Sequence, residues 1–112
     1  MTTARIRFRP TKSIDALIEE RREQLHADRR IYIHSTEGAS RSYAFRDLLF
    51  DGLSRLSAGV QMPTIDESES MGGSLVVRLP ARYLECITDI ARGERISTNT
   101  TLARLVTLGG ES

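Results

Sequence analysis

Two short stretches with alternating side chains decide the fold of this chain: RIRFR at residues 5–9 and LVVRL at residues 75–79. In an extended strand, successive side chains point to opposite faces. The first stretch therefore places Ile6 and Phe8 on one face and its three arginines on the other. The first, third and fifth residues of the second stretch share an apolar face in the same way. The predicted strands cover residues 4–9 and 74–79.

Each predicted strand is followed by two stretches in which apolar residues recur at helical spacing. After the first strand, Thr11 or Ser13 is the expected N-cap of a helix over about residues 14–29. The charged run at residues 19–23 of this helix is interpreted as a solvated face. The other three helices are expected to begin near Ser40, Pro80 and Ser97 and to end near Gly59, Gly93 and Gly109–Gly110.

The order strand, helix, helix therefore occurs twice in the sequence. One copy cannot bury its own apolar face, whereas two copies can pair their strands and interlock their helices. The first copy is assigned to residues 1–56 and the second to 74–112, with one shared core. Residues 57–73 are rich in Ser, Gly, Pro and acidic residues and are interpreted as a linker or loosely packed loop. The connector Arg30–Gly38 is either an extended arm or a small extra strand.

The composition fits one small globular domain. The chain has 112 residues, of which 39% are hydrophobic and 28% charged, as in a typical globular protein. No apolar run reaches the roughly 20 residues that a membrane helix needs, and the N-terminus has no apolar signal core. The single Cys86 cannot form an internal disulfide, which favours a reducing compartment. We therefore expect a cytoplasmic protein that does not bind membranes.

The sequence gives no indication of catalysis. It contains no phosphate-binding loop and no nucleophile motif. His26 and His34 lack neighbouring ligands at metal-site spacing, and Cys86 lies beside apolar helix positions and is interpreted as a packing residue. We predict that the protein is not an enzyme and that it requires no cofactor.

Positive charge is concentrated on the first strand although the net charge of the chain is only +1. Arg5, Arg7 and Arg9 share one face there, which indicates either an edge strand protected by charge or a surface that reads DNA. Arginine can hold guanine O6 and N7 through two hydrogen bonds. Three arginines without a lysine or glutamate favour such bidentate recognition over mere solubility.

Two segments of the chain resemble the ribbon-helix-helix family of DNA-binding proteins, of the Arc and MetJ type. Residues 38–49 match the opening of its second helix, with a glycine, small polar residues around Arg41 and an apolar run. Residues 74–91 resemble its strand and first helix, with the Leu79–Pro80 junction in the expected place. The resemblance implies a mainly α fold with a two-stranded antiparallel β-ribbon, here a tandem ribbon-helix-helix folded as an intramolecular pseudo-dimer. The alternative is that like strands pair between two chains.

In that family the ribbon enters the major groove, and the N-terminus of the second helix binds a DNA phosphate. The resemblance implies base contacts by Arg5, Arg7, Arg9, Ser74, Val76 and Arg78. It implies phosphate contacts by Ser40, Arg41, Ser42, Ser97, Thr98 and Asn99. Ordinary helix capping is the alternative role for the second set, and the two roles are compatible.

The two copies are not equivalent around their prolines. Aligning Pro10 with Pro80 would bury arginines and expose Phe8. The first copy is therefore expected to carry an extra residue between its strand and its first helix.

The resemblance implies sequence-specific binding of double-stranded DNA by a transcriptional or plasmid regulator. The single-chain tandem form also resembles the TraY-like accessory proteins of conjugative transfer, which bind near an origin of transfer in a relaxosome. That alternative implies a relaxase or another transfer protein as a partner, and in either role further copies could bind adjacent sites. A protein-only interaction module is the third alternative.

Overall fold

The computed structural model describes residues 3–27 and 40–111. The connector Arg30–Gly38, His34 and the last two residues of the predicted first helix lie outside these ranges. The described part is mainly helical, with one two-stranded antiparallel sheet. Its elements in chain order are β1 (Thr3–Phe8), α1 (Lys12–Ala27), α2 (Arg41–Ser57), β2 (Leu75–Pro80), α3 (Ala81–Glu94) and α4 (Thr98–Gly110).

The strands pair within the chain, each one residue away from its predicted bounds. β1 runs antiparallel to β2 with Ile6 opposite Val77 and Phe8 opposite Leu75. Phe8 is fully buried and Ile6 is 6% exposed, so the predicted apolar face is confirmed. The alternation also holds in β2, where residues 75, 77 and 79 are buried and Val76 is exposed.

The core lies between the inner face of the ribbon and the crossing of α2 with α4. Phe8 stacks on Phe45 of α2, with ring centroids 4.8 Å apart and ring planes 16° apart. Leu48 and Leu49 of α2 and Leu105 of α4 are fully buried beside them. Aromatic stacking of this kind adds about 0.5–1.5 kcal/mol to the burial of apolar area.

Two glycines let the backbones of α2 and α4 touch. A Cβ on Gly52 would lie 2.0 Å from the Leu105 carbonyl oxygen, and a Cβ on Gly109 would lie 2.0 Å from the Leu48 carbonyl oxygen. The last helix ends at Gly110, within the predicted stop at Gly109–Gly110. Gly109 serves the close approach of the two helices.

Arg21 joins three helices, which corrects its interpretation as part of a solvated face, whereas Glu20 and Glu23 of the same run are exposed as expected. Its side chain is 16% exposed and lies 2.6 Å from the Asp47 carboxylate and 2.7 Å from that of Asp51. It also donates to the Gly109 carbonyl oxygen at 3.2 Å. Burial alone would lower the pKa of Arg21, but the hydrogen bonds to Asp51 and Asp47 raise it above its ordinary value.

The last part of the linker, residues 69–72, is tied to the start of α1. Thr11, one of the two expected N-caps, accepts the Asp15 N–H with its carbonyl oxygen at 2.8 Å and forms an isolated antiparallel bridge with Met71. Glu69 accepts hydrogen bonds from the backbone N–H and the hydroxyl of Ser13. Three residues, 9–11, separate β1 from α1, whereas none separates β2 from α3. The first copy is thus longer here, by three residues where one was expected.

No helix in the described ranges is long and apolar enough to cross a membrane.

The glycine crossing gives a prediction about stability. Gly52→Ala should lower the free energy of unfolding by about 1–3 kcal/mol, because the helices must move apart to admit the methyl group. Gly93→Ala is the matched control, since Gly93 also lies in a helix and a Cβ there meets nothing within 4 Å. Gly93→Ala should raise the free energy of unfolding by up to about 1 kcal/mol, because alanine has a higher helix propensity than glycine. Urea unfolding measures the free energy of unfolding of both variants. Equal changes in the two variants would contradict the close approach of α2 and α4.

Candidate nucleic-acid interface

The outer face of the ribbon, defined by Arg5, Arg7, Val76 and Arg78, is exposed as the sequence predicts. Arg5 lies directly opposite Arg78, and Arg7 lies opposite Val76. Val76 is 37% exposed and is one of the large hydrophobic residues left on the surface. Within residues 3–27 and 40–111, none of the three arginines has an ion-pair partner.

The pairing of Arg5 with Arg78 is unfavourable for an isolated ribbon. Directly opposite residues have their Cβ atoms about 4.5–5.5 Å apart, and like charges at such positions destabilise the sheet. A surface selected only for solubility would alternate the two signs of charge. An anionic ligand bound to this face would offset the repulsion between the guanidinium groups.

Arg9 and Ser74 flank the last strand pair at one end of the ribbon. Both are exposed. Asn99 of α4 holds the Arg9 backbone through two hydrogen bonds: the Arg9 N–H donates to Oδ1 at 2.9 Å, and Nδ2 donates to the Arg9 carbonyl oxygen at 3.0 Å. The side chain of Asn99, which was predicted to contact phosphate, is therefore occupied in joining α4 to the ribbon.

The start of α2 lies against β2. Ser40 is the N-cap, and its hydroxyl accepts the Tyr43 N–H at 3.0 Å. The Ser42 hydroxyl donates to the Val76 carbonyl oxygen at 3.0 Å. Arg41 forms ion pairs with Asp15 and Glu19 of α1.

The start of α4 has the same type of cap. The Ser97 hydroxyl accepts the Thr100 N–H at 3.0 Å, and Thr98 is half-buried. Side chains at both helix starts are thus engaged within the chain. The first-turn backbone N–H groups, which have no acceptor inside a helix, are the donors best suited to an external anion.

Arg46 belongs to this surface although the sequence did not single it out. Its guanidinium donates to the Arg78 carbonyl oxygen at 3.5 Å and lies 5.5 Å from the centroid of the Tyr43 ring. It follows Ser42 by one helical turn and so shares the face of α2 that contacts β2. The four-residue spacing from Ser42 could have pointed to Arg46 in the sequence. It does so only when the contact between α2 and β2 is already known.

A second surface lies between α2 and α3. It is a groove of about 310 Å³ whose lining includes Phe50, Leu53, Tyr83 and Cys86, and the rings of Phe50 and Tyr83 are 5.0 Å apart. Cys86 is exposed here, so its interpretation as a packing residue was wrong. Its neighbours Leu84 and Ile87 point toward the core, whereas position 86 lies on the outer side of α3. No group in the described part of the chain has the side chains to hold a metal ion.

Comparison of the chain with protein-family models, curated proteins and solved structures gave no significant match.

The cross-strand arginine pair gives a second prediction. Arg5→Thr should raise the free energy of unfolding by about 0.3–1 kcal/mol, because it removes the like charge opposite Arg78. Arg7→Thr is the matched control on the same strand and face, since its partner is Val76. The difference between the variants should shrink as salt screens the repulsion. Urea unfolding at low and high salt checks this, and a larger gain from Arg7→Thr would contradict it.

Proposed function

We propose that the chain is a tandem ribbon-helix-helix protein, folded as an intramolecular pseudo-dimer, that binds double-stranded DNA sequence-specifically. The observation that carries the proposal is the outer face of the ribbon, where Arg5, Arg7 and Arg78 stand without ion-pair partners in the described ranges. The opposite face is buried in the core.

The dimensions of the ribbon suit the major groove. Each strand has six residues, which corresponds to a length of about 20 Å. The major groove of B-DNA is about 12 Å wide and admits a two-stranded ribbon. In such a pose Arg5, Arg7 and Arg78 would hold guanine edges, and Val76 would contact a thymine methyl group. Arg9 and Ser74 would contact bases at the end of the ribbon.

The helix starts would then position the ribbon on the DNA backbone. Ser42 bonds to Val76, and Asn99 bonds to Arg9, so the first turns of α2 and α4 both lie beside the ribbon. Helix N-termini favour phosphate oxygens through their dipole and their N–H groups. We assign the phosphate contacts at residues 40–42 and 97–99 mainly to the backbone, since the side chains are engaged elsewhere.

The two strands differ in chemistry, so one chain should prefer an asymmetric site. β1 presents a row of arginines, whereas β2 presents Val76 and Arg78. Guanines are expected beneath the first strand. Inverted repeats would instead indicate pairing of like strands between two chains.

The biological role that we propose is transcriptional or plasmid regulation. The pairing of β1 with β2 inside one chain favours the transfer-accessory role as the second candidate, since the tandem single-chain form is the one that resembles TraY-like proteins. Protection of an operator or of an origin of transfer in a footprint would separate the two roles.

Selection of bound duplexes from a random pool tests the proposal. The wild-type chain should enrich an asymmetric, guanine-containing site, and its affinity should fall steeply with salt because phosphate contacts release counterions. Arg7→Ala should lose about 1–3 kcal/mol of discrimination at one base pair. Arg92→Ala, at an exposed position near the end of α3, removes the same charge and should keep the preference.

Two results would contradict the proposal. Absence of any salt-sensitive enrichment would favour the protein-only module. An unchanged base preference in Arg7→Ala would remove the assignment of Arg7 to readout.

A further inference from the structure

An acidic side chain of the linker lies against the first turn of α4. The Thr100 hydroxyl donates to Oε1 of Glu67 at 2.7 Å. The hydroxyl of the N-cap Ser97 donates a hydrogen bond to the Thr100 hydroxyl oxygen at 2.9 Å. A carboxylate at this position is attracted by the positive end of the helix dipole.

Glu67 is also close to the end of the ribbon. It lines a small pocket of about 100 Å³ together with Arg9, Asn99 and Thr100. Arg9 and Asn99 are the residues that join β1 to α4. The linker therefore places a negative charge at the junction where the proposed function places a DNA phosphate.

Within residues 3–27 and 40–111, the start of α2 has no equivalent unpaired carboxylate. The carboxylates of Asp15 and Glu19 near it are both ion-paired with Arg41, whereas Glu67 has no ion-pair partner among residues 3–27 and 40–111. The first turn of α2 contains no acidic residue. The two helix starts are thus alike in their serine caps but different in local charge.

The attachment of Glu67 differs from that of Glu69 in the same linker. Glu69 holds both the backbone and the hydroxyl of Ser13, and its neighbour Ser70 accepts the Lys12 N–H at 2.9 Å. Glu69 is thus a structural anchor of α1. Glu67 is exposed and bonds to one neutral hydroxyl, so its carboxylate can leave the first turn of α4 without breaking the anchor.

We propose that Glu67 is an internal anion that competes with a DNA phosphate for the start of α4 and so lowers the affinity of the second copy for the DNA backbone. This rests on the proposed function. Binding must either displace the carboxylate or accept its repulsion of the phosphate. Since Glu67 does not lie on the outer face of the ribbon, it acts on affinity and leaves the base preference of Arg5, Arg7 and Arg78 unchanged.

Glu67→Gln tests the proposal, since glutamine removes the charge but still accepts the Thr100 hydroxyl. Asp66→Asn is the matched control. It makes the same charge change at the adjacent residue, and hydrogen bonds from the Ser68 hydroxyl and N–H lower the pKa of the Asp66 carboxyl, so that Asp66 is ionised at neutral pH. Its side chain bonds within its own turn.

The probe is a fluorescein-labelled random-sequence duplex, titrated by anisotropy at about 50 mM and about 200 mM salt. Glu67→Gln should bind about three- to tenfold more tightly at the lower salt, and the gain should shrink at the higher salt as screening increases. Asp66→Asn should change the affinity by about twofold or less, because its carboxylate is solvated. Thermal unfolding of both variants verifies that they fold like the wild type.

The outcomes separate this proposal from the proposed function. If the wild type binds the duplex and Glu67→Gln gains no more than Asp66→Asn, the competition by Glu67 is overturned while DNA binding stands. If the folded wild type and both variants fail to bind at the lower salt, the proposed function is overturned, and this inference with it.

Discussion

The burial of Phe8 against Phe45 is the contact on which the rest of the molecule depends. It fixes which face of β1 points inward, and in a strand that choice sets every other side chain. A shift of one residue would bury the arginines and expose Phe8. Once the alternation of β1 is fixed, Arg5 and Arg7 must lie on the outer face. Arg78 lies there too, because it pairs directly with Arg5. The candidate interface is therefore a direct consequence of core packing.

The crossing of α2 with α4 determines where the helix starts lie. Gly52 and Gly109 allow the two backbones to touch, and Arg21 joins α1 to both helices. This arrangement brings the first turns of α2 and α4 to the ribbon, where Ser42 and Asn99 bond to the strands. The core thus positions both the charged face and the two helix starts beside it.

The sequence predicted the features that arise from local periodicity and missed those that arise from long-range contacts. The period of two in RIRFR predicted the ribbon and its buried face, and helical spacing predicted four helices close to their bounds. The glycine crossing, the Asn99–Arg9 bonds and the docking of the linker join residues far apart in the chain. The packing role of Gly109 was missed because a glycine near a helix end has the same local signature whether or not another helix packs against it. The position of Cys86 was missed because one residue along a helix rotates a side chain by about 100°.

The most direct test of the central claim is to map amide chemical-shift changes while a selected duplex is titrated into the labelled chain. The account predicts changes over residues 3–9 and 74–79 and in the first turns of α2 and α4, with the core around Phe45 unchanged. Changes confined to the groove at Phe50 and Tyr83, with the ribbon unaffected, would contradict it.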